Sequence, residues 1–384
     1  MKTTAEYLIV GGGVVGLSTA YNLAKKGAKD VVLIDQKYVG FGGSTRNGSG
    51  HRAQYARKER VIMGRECTKL WEHLDEELDG KTGWTQTGYI YALYDEDWVP
   101  RYKEFAKMHN EMGVETKVIS AEEVKEIIPL FNTEGVYAAC YNPKDGKFSP
   151  FGMTTAYFRA IKRLGVEVYQ YCPMTGGKEL PNGDWEVETP QGTITAHNLI
   201  VTAGSWSRLV GEKIGLKVPV VPYVEEAMIT EPVAPHTIEP LLNLKTPKYN
   251  DFWLTQTNIN NGIIFGHGHM QWASEDKMSW EFTTSQEYAQ INCWNLYRAF
   301  PSFGDVKIVR HFSGFYDVTP DREPIMSRVG DRNLYFGLAC AAMHAPICGQ
   351  AMAELILDGK ATCIPLDFCA FDRFEKGPCE PIPY

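Results

Sequence analysis

Tyr7-Leu8-Ile9-Val10 forms a continuous apolar run of strand type that is cut off at once by Gly11-Gly12-Gly13. Beyond the break the apolar spacing changes. Val14, Leu17, Ala20, Tyr21 and Ala24 recur at helical intervals up to Gly27, which is placed to cap the helix C-terminus. Val31-Val32-Leu33-Ile34 then reads as a second buried strand ending in Asp35, so the opening of the chain predicts one strand–turn–helix–strand unit of a parallel sheet. That alternation does not continue. Further helices are predicted at Glu59–Leu78, Trp98–Met112, Ala121–Ile128, Pro150–Leu164, Ser285–Ala299 and Ile347–Leu357. Strands are predicted at Gly88–Tyr94, Val166–Tyr171, Trp185–Thr189, Asn198–Thr202, Glu226–Thr230, Phe252–Gln256, Gly262–Gly266 and Val306–Phe312. The strand-rich middle contains one more parallel-type strand at Leu199-Ile200-Val201, which predicts two domains that the chain crosses several times.

With 384 residues, 44% of them hydrophobic, the chain can fill two cores, which excludes a disordered or fibrous protein. No apolar run approaches the roughly 18 residues of a membrane span, and Met1–Glu6 lacks the basic region of a secretory signal, so a soluble, cytoplasmic protein is expected. The net charge of -8, with Lys and Arg scattered rather than striped, argues against a nucleic-acid partner. The 9 cysteines contain no C-x-x-C pair, which argues against zinc ribbons and simple iron–sulfur sites; Cys363, Cys369 and Cys379 near the C-terminus are expected to pack or to sit at a subunit contact.

The glycine-rich break carries the chemistry. In Gly11-x-Gly13-x-x-Gly16 the first glycine permits the tight turn, the second lets the backbone approach a pyrophosphate, and the third lets the helix pack closely on the sheet, with the helix N-terminus facing the anion. Asp35 stands where an acid accepts hydrogen bonds from a ribose. Adenine dinucleotide binding is expected, the alternative being a turn with no ligand. No second glycine-rich unit follows Val201-Thr202-Ala203-Gly204, so one cofactor is expected. Ser44 and Thr45, small hydroxyl residues after glycines, can cap a helix and leave its N–H groups open to an anion.

Four segments in order, Gly11–Gly16 with Asp35, Gly42–Gly48, Val201–Trp206 and Gly314–Pro324, resemble the FAD-dependent amine oxidoreductases of the D-amino-acid oxidase superfamily. Within it the chain is most similar to the β subunits of archaeal dye-linked L-proline dehydrogenases, with sarcosine oxidase β subunits and glycine oxidases further off. Gln86–Tyr89, Asn142–Lys147 and Leu254–Thr257 share that pattern, so the likeness covers nearly the whole chain. The resemblance implies an α/β (α+β overall) fold, with a Rossmann-like FAD-binding domain (1–85, 150–210, 314–384) and an interleaved antiparallel-sheet substrate or interface domain (86–149, 211–313).

The resemblance also implies site residues. Val14, Val15 and Asp35 would contact the ADP half of FAD, and Ser44 and Thr45 the pyrophosphate region. Ala203, Gly204 and Trp206 would line the cofactor from the returning strand, Met174 would offer a backbone edge to adenine, and Gly337 and Met343 would bound the flavin ring. Arg52 matches a position beside flavin and substrate, where a guanidinium suits a carboxylate bidentately; the alternative is a surface arginine paired with Glu59. Tyr316 matches a tyrosine over the substrate, the alternative being a core aromatic. His267 and His269 share one face of a strand, without a third metal ligand, and one of them is expected to face the flavin ring or the substrate; Tyr55, Trp253 and Trp272 are candidates for the wall. Two departures alter the picture. Gly314 stands where some relatives attach flavin through cysteine, and Phe148-Ser149-Pro150 lacks the histidine that tethers a second flavin in others, so FAD is expected to be non-covalent. The segment Gly337–His344 replaces a glycine-rich stretch that wraps the ring, with Cys340 and His344 as replacement polar groups.

The activity implied is oxidation of the C–N bond of a small secondary or N-methylated amino acid by hydride transfer to the flavin, with electrons passed to a partner subunit or dye and a homo- or hetero-oligomeric assembly. The alternatives are an oxygen-using oxidase of the glycine oxidase kind, and a flavin-binding subunit that has lost amine oxidation.

Overall fold

The computed structural model describes residues 1–246, 251–268, 280–339 and 341–376. The expected opening unit is present: strand β1 (Thr4–Val10), helix α1 (Val14–Lys25) and strand β2 (Val31–Ile34). Gly27 follows the helix cap Lys26 with φ +94°, and its N–H donates to Ala24 O, which terminates the helix where the spacing predicted.

β1 lies between β2 and Gly192–Val201, all parallel, with Glu167–Tyr169 beyond β2. Leu334–Leu338 runs parallel beside the last residues of Gly192–Val201, while Trp185–Thr189 runs antiparallel beside its first half. Gly176–Glu179 and Ile325–Arg328 complete this eight-stranded sheet at its edges. Buried on both faces, its parallel strands read as unbroken apolar runs. On one face α1, α2 (Lys58–Glu77), Pro150–Arg163 and Ala345–Asp358 enclose a core that includes Leu17, Met63, Trp71, Tyr157 and Met352. On the other, Trp185, Val187, Leu199 and Phe336 pack together.

The second eight-stranded sheet has the order Ile308–Val318, Val221–Pro232, Gly262–His267, Phe252–Gln256, Leu241–Lys245, Tyr89–Leu93, Ala138–Asn142, Lys117–Ile119. It departs from expectation in three ways. Val221–Pro232 and Ile308–Val318 are longer than the predicted strands, because their pairing runs from Val221 opposite Val318 to Thr230 opposite Ile308. The second of them therefore passes residue 314, where the sequence placed a domain boundary. Third, the sheet is not wholly antiparallel: Leu241–Lys245 pairs parallel with Tyr89–Leu93. Leu241–Lys245, Ala138–Asn142 and Leu334–Leu338 are short buried runs that the periodicity did not single out.

A small third sheet joins Gly50–His51, Gly146–Lys147 and Thr85–Gln86. It delivers the chain from the first sheet's side to the second, and Arg52 is the first residue after it. Among the described residues no helix is long and apolar enough to cross a membrane.

Candidate cofactor and substrate cleft

A cleft of about 620 Å³ is lined both by the Gly11–Gly16 turn and by strands of the second sheet. This is within the ordinary size of a small-molecule site. Gly11 has φ +118° and its N–H donates to Ile34 O at 2.9 Å, so the turn is pinned to the end of β2. A Cβ on Gly16 would lie 2.1 Å from Gly11 O; the absence of one lets α1 start directly against the turn. Gly13, the N-cap, offers no side-chain hydrogen bond, and Val14 N donates to Ser44 Oγ at 2.8 Å. Asp35 at the end of β2 accepts from Gly12 N (2.6 Å) and Lys37 N (2.7 Å). Burial raises its pKa, against the pull of those two N–H groups.

On the far wall of this end, Ala203 and Gly204 follow strand Gly192–Val201, and Trp206 packs edge-on against Phe315 with ring centroids 5.3 Å apart. Met174 lines the cleft, and its carbonyl accepts from Lys213 Nζ at 2.6 Å. Gly337 and Met343 line it from the other side. Gly16 and Thr45 do not form its wall; Thr45 Oγ1 instead donates to Gly40 O and shapes the loop behind Ser44.

The end of the cleft where substrate was expected is built around Arg52. Its guanidinium donates to the Tyr91 hydroxyl and lies 4.6 Å from the Tyr55 ring centroid and 5.8 Å from that of Tyr89. Gly64 of α2 makes room for this segment, since a Cβ there would meet Ala53 Cα at 2.6 Å. The sequence alternative for Arg52, a surface ion pair with Glu59, is not what the structure presents: the side chain lines the cleft. Tyr55, Trp253 and Tyr316 line it too, and burial drives the Tyr316 phenol well above its ordinary pKa. Trp253 closes over the main chain at Gly48, where any Cβ would meet its ring at 2.7 Å.

Two histidines stand elsewhere than expected. His267 does not line the cleft; its ring stacks on Tyr288 at 4.2 Å and its Nδ1 accepts from Asn292 Nδ2 at 2.8 Å. Strand alternation is the reason: neighbouring Gly268 lines the cleft, so His267 points away from it to helix Gln286–Ala299. His344 is fully buried behind the wall, 3.4 Å from the Tyr55 hydroxyl, and burial holds its pKa well below the usual value. His269, Trp272 and Cys340 lie outside the described residues.

The sequence reading missed Tyr89, Glu225, Asn243, Lys245 and Asp251, which also line this end. Lys245 Nζ is 3.6 Å from Asp251, and burial, with Arg52 nearby, lowers its pKa. The alternation of Tyr89 and Tyr91 on one face of a strand was the available signal.

The family profile described as "DAO: FAD dependent oxidoreductase" matches residues 6–355. The chain belongs to this family of FAD-dependent oxidoreductases. It is 29% identical to mitochondrial dimethylglycine dehydrogenase of Rattus norvegicus over 98% of this chain and 45% of the relative, so it spans just under half the length of that protein. It is 26% identical to the sarcosine oxidase subunit beta of Rhodobacter capsulatus, over 98% of this chain and 90% of the relative. The crystal structure of L-proline dehydrogenase from P. horikoshii superposes with TM-score 0.92 and 32% identity, covering 100% of both chains. The resemblance expected from the sequence motifs is therefore borne out, as is the mixed α/β fold. The cofactor of this FAD-dependent oxidoreductase is FAD, and the residues present fit it. The N-cap of α1 is a bare glycine, Gly13, whose Cβ position has Ser44 Oγ as its one neighbour within 4 Å among the described residues, a cradle open to a phosphate group.

Proposed function

We propose that this protein oxidises the C–N bond of a small secondary or N-methylated amino acid, proline-like or sarcosine-like, and passes the electrons to a partner or dye-type acceptor. The observation that carries this reading is Arg52, a guanidinium ringed by Tyr55, Tyr89 and Tyr91 in the same cleft as the Gly11–Gly16 turn. A planar, five-donor cation there is suited to the substrate carboxylate, which fixes one end of the molecule. Tyr55, Trp253 and Tyr316 exclude water from the other end, and their low polarity favours an amine in its neutral form, with a lone pair available. When bound, FAD supplies the acceptor for the hydride leaving the carbon next to nitrogen. Hydrolysis of the resulting imine by water, or its release where it is cyclic, completes the turnover.

The turn around Gly13, Val14 and Ser44 with Asp35 would hold the ADP half, and Gly337 and Met343 would flank the ring. Non-covalent attachment is supported at residue 314, where a side chain would collide with Arg46 O at 2.6 Å. Two of the similar proteins are named dehydrogenases, which supports a dehydrogenase, and the third is named a subunit of an oxidase, which supports an assembly with other chains. The test is anaerobic bleaching of the flavin by a panel of proline, sarcosine, dimethylglycine and D-amino acids. Bleaching by the secondary or N-methylated members with slow reoxidation in air is expected. A flavin that stays oxidised under the whole panel would remove the reading, and fast reoxidation in air would replace the dehydrogenase with an oxidase.

A further inference from the structure

Asp145 is fully buried, does not line the cleft, and accepts three hydrogen bonds. Its Oδ1 takes Ala53 N at 2.8 Å and Asn142 Nδ2 at 2.8 Å, and its Oδ2 takes Gln54 Nε2 at 3.1 Å. Gln54 Nε2 also donates to Tyr89 O at 3.1 Å, and Asp145 O accepts from Gly88 N at 2.7 Å. Adjacent Gly146 pairs with His51, and a Cβ on it would lie 2.4 Å from Thr85 O, so the turn carrying Asp145 is locked under the segment that begins at Arg52. Both ends of the Arg52–Tyr55 segment line the cleft while its middle is tied to one carboxylate and, through that, to strands Tyr89–Leu93 and Ala138–Asn142.

We propose that Asp145 is a positioning residue: its carboxylate sets Arg52 and Tyr55 for the substrate carboxylate, and loss of its charge loosens that grip. This deepens the proposed function and rests on it. Three donors converge on a group with no other role in the cleft, and each donor is buried where water cannot substitute. If one oxygen becomes a hydroxyl, the charge that strengthens all three bonds is lost and the bond at that oxygen is weakened further by the proton it now carries. Burial already pushes the Asp145 pKa up to about 7, against the pull of those donors, so the charged form prevails above that pH and is lost as pH falls through it. The charged or titratable groups that face it are Arg52, whose charge favours the carboxylate, and Tyr141, whose phenol is raised. Of its neighbours in sequence and sheet, His51 is held neutral with its pKa down at about 3, and burial lowers that of Lys147. His51 and Tyr141 stay neutral through pH 6–8, and protonation of Lys147 adds a positive charge, which would tighten rather than loosen the binding of an anion.

The sign separates positioning from plain electrostatics. Removing a negative charge near Arg52 would by Coulomb's law tighten binding of an anion, whereas loosening the segment weakens it. The experiment uses the FAD-loaded enzyme and tetrahydrofuran-2-carboxylate, an anion without an oxidisable amine, titrated calorimetrically from pH 6 to 9. Wild type is expected to bind about five- to tenfold more weakly at pH 6 than at pH 8, tenfold being the ceiling for one group that titrates at about 7. Asp145→Asn is expected to bind at least as weakly as wild type at pH 6, with no pH dependence, and to cause no further loss in an Arg52→Ala background. Unchanged or tighter wild-type binding at pH 6 overturns the proposal, and this measurement needs no variant to fold. An equal loss from Asp145→Asn with and without Arg52 also overturns it, as a general structural role. Equal affinities for wild type and Arg52→Ala overturn the carboxylate reading itself, while a weakened Arg52→Ala with an indifferent Asp145→Asn overturns only the positioning role.

Discussion

Gly13 and Gly16 lie one helical turn apart, yet the structure assigns their lack of side chains to different causes, and alanine substitution separates them. At Gly16 a Cβ would sit 2.1 Å from Gly11 O and 2.6 Å from Thr202 Oγ1, both in fixed parts of the turn and the sheet. Overpacking of that severity costs about 3 kcal/mol, offset by about 1 kcal/mol from the better helix propensity of alanine, a net loss of about 2 kcal/mol to the fold. At Gly13 the backbone is ordinary (φ -71°, ψ 171°) and the nearest neighbour of a Cβ is Ser44 Oγ at 3.1 Å. Alanine is a poorer N-cap than glycine, so the fold loses under about 1 kcal/mol. The new methyl group, however, stands at the α1 N-terminus that is proposed to receive the FAD pyrophosphate. Losing two charge-assisted hydrogen bonds there costs at least about 3 kcal/mol, or more than about 100-fold in affinity. Urea denaturation of the apoprotein and fluorescence titration with FAD measure the two effects separately. Gly16→Ala should lower apoprotein stability clearly while Gly13→Ala barely does, and Gly13→Ala should bind FAD at least about 100-fold more weakly. Wild-type FAD affinity in Gly13→Ala, or equal destabilisation of the two apoproteins, would refute the assignment of Gly13 to the cofactor.

Arg52→Ala should raise the KM for the amino-acid substrate by about 100-fold or more, and Arg52→Lys should recover only part of it because the bidentate fork is gone; steady-state kinetics on the panel's best substrate decides. Tyr91→Phe removes the hydroxyl that Arg52 donates to and should raise the same KM about tenfold with FAD affinity unchanged, as measured by parallel substrate and cofactor titrations. Glu354 accepts from Thr362 N (2.6 Å), Thr362 Oγ1 (3.0 Å) and Cys363 N (3.1 Å), so Glu354→Gln should cost about 2 kcal/mol in urea denaturation at pH 7. Its pKa is lowered to about 2: burial raises it, but the hydrogen bonds led by Thr362 N outweigh that. This stabilisation is complete above the unfolded-state value of 4.5 and lost as pH falls towards 2, so the gap between variant and wild type should close over that window.

The cofactor end of the cleft was legible because its chemistry is local. A strand, a turn, a helix and an acid lie within 35 residues, and each glycine there answers a mechanical need that a single chain displays in order. At the other end, family resemblance reached Arg52 and Tyr316, and the suitability of aromatic rings as the wall of an amine pocket reached Tyr55 and Trp253. Neither could reach Lys245, whose run Leu241-Leu242-Asn243-Leu244-Lys245 reads as a buried strand ending in a charge, and whose parallel partner Tyr89–Leu93 is about 150 residues away. The histidines show the opposite error. Residue type suggested His267 for the site, but period-two alternation gives the cleft to Gly268 and turns His267 towards Asn292.

What was legible around Arg52 and what was not share a cause in the small three-stranded sheet. Arg52 belongs to neither large sheet; it follows Gly50–His51, whose partners Gly146–Lys147 and Thr85–Gln86 come from distant parts of the chain. No periodicity marks two-residue strands, so the element that aims the guanidinium leaves almost no local trace. What it does leave is the composition of Asn142-Pro143-Lys144-Asp145-Gly146-Lys147, a turn whose acid is turned inward under Ala53 and Gln54 rather than out to solvent. An acid fully buried in a turn calls for converging donors, and here two of the three donors are the residues beside Arg52. The geometry of the substrate end therefore depends on a seam between the two sheets, and substitutions in that seam, remote from flavin and substrate alike, should alter KM before they alter FAD binding.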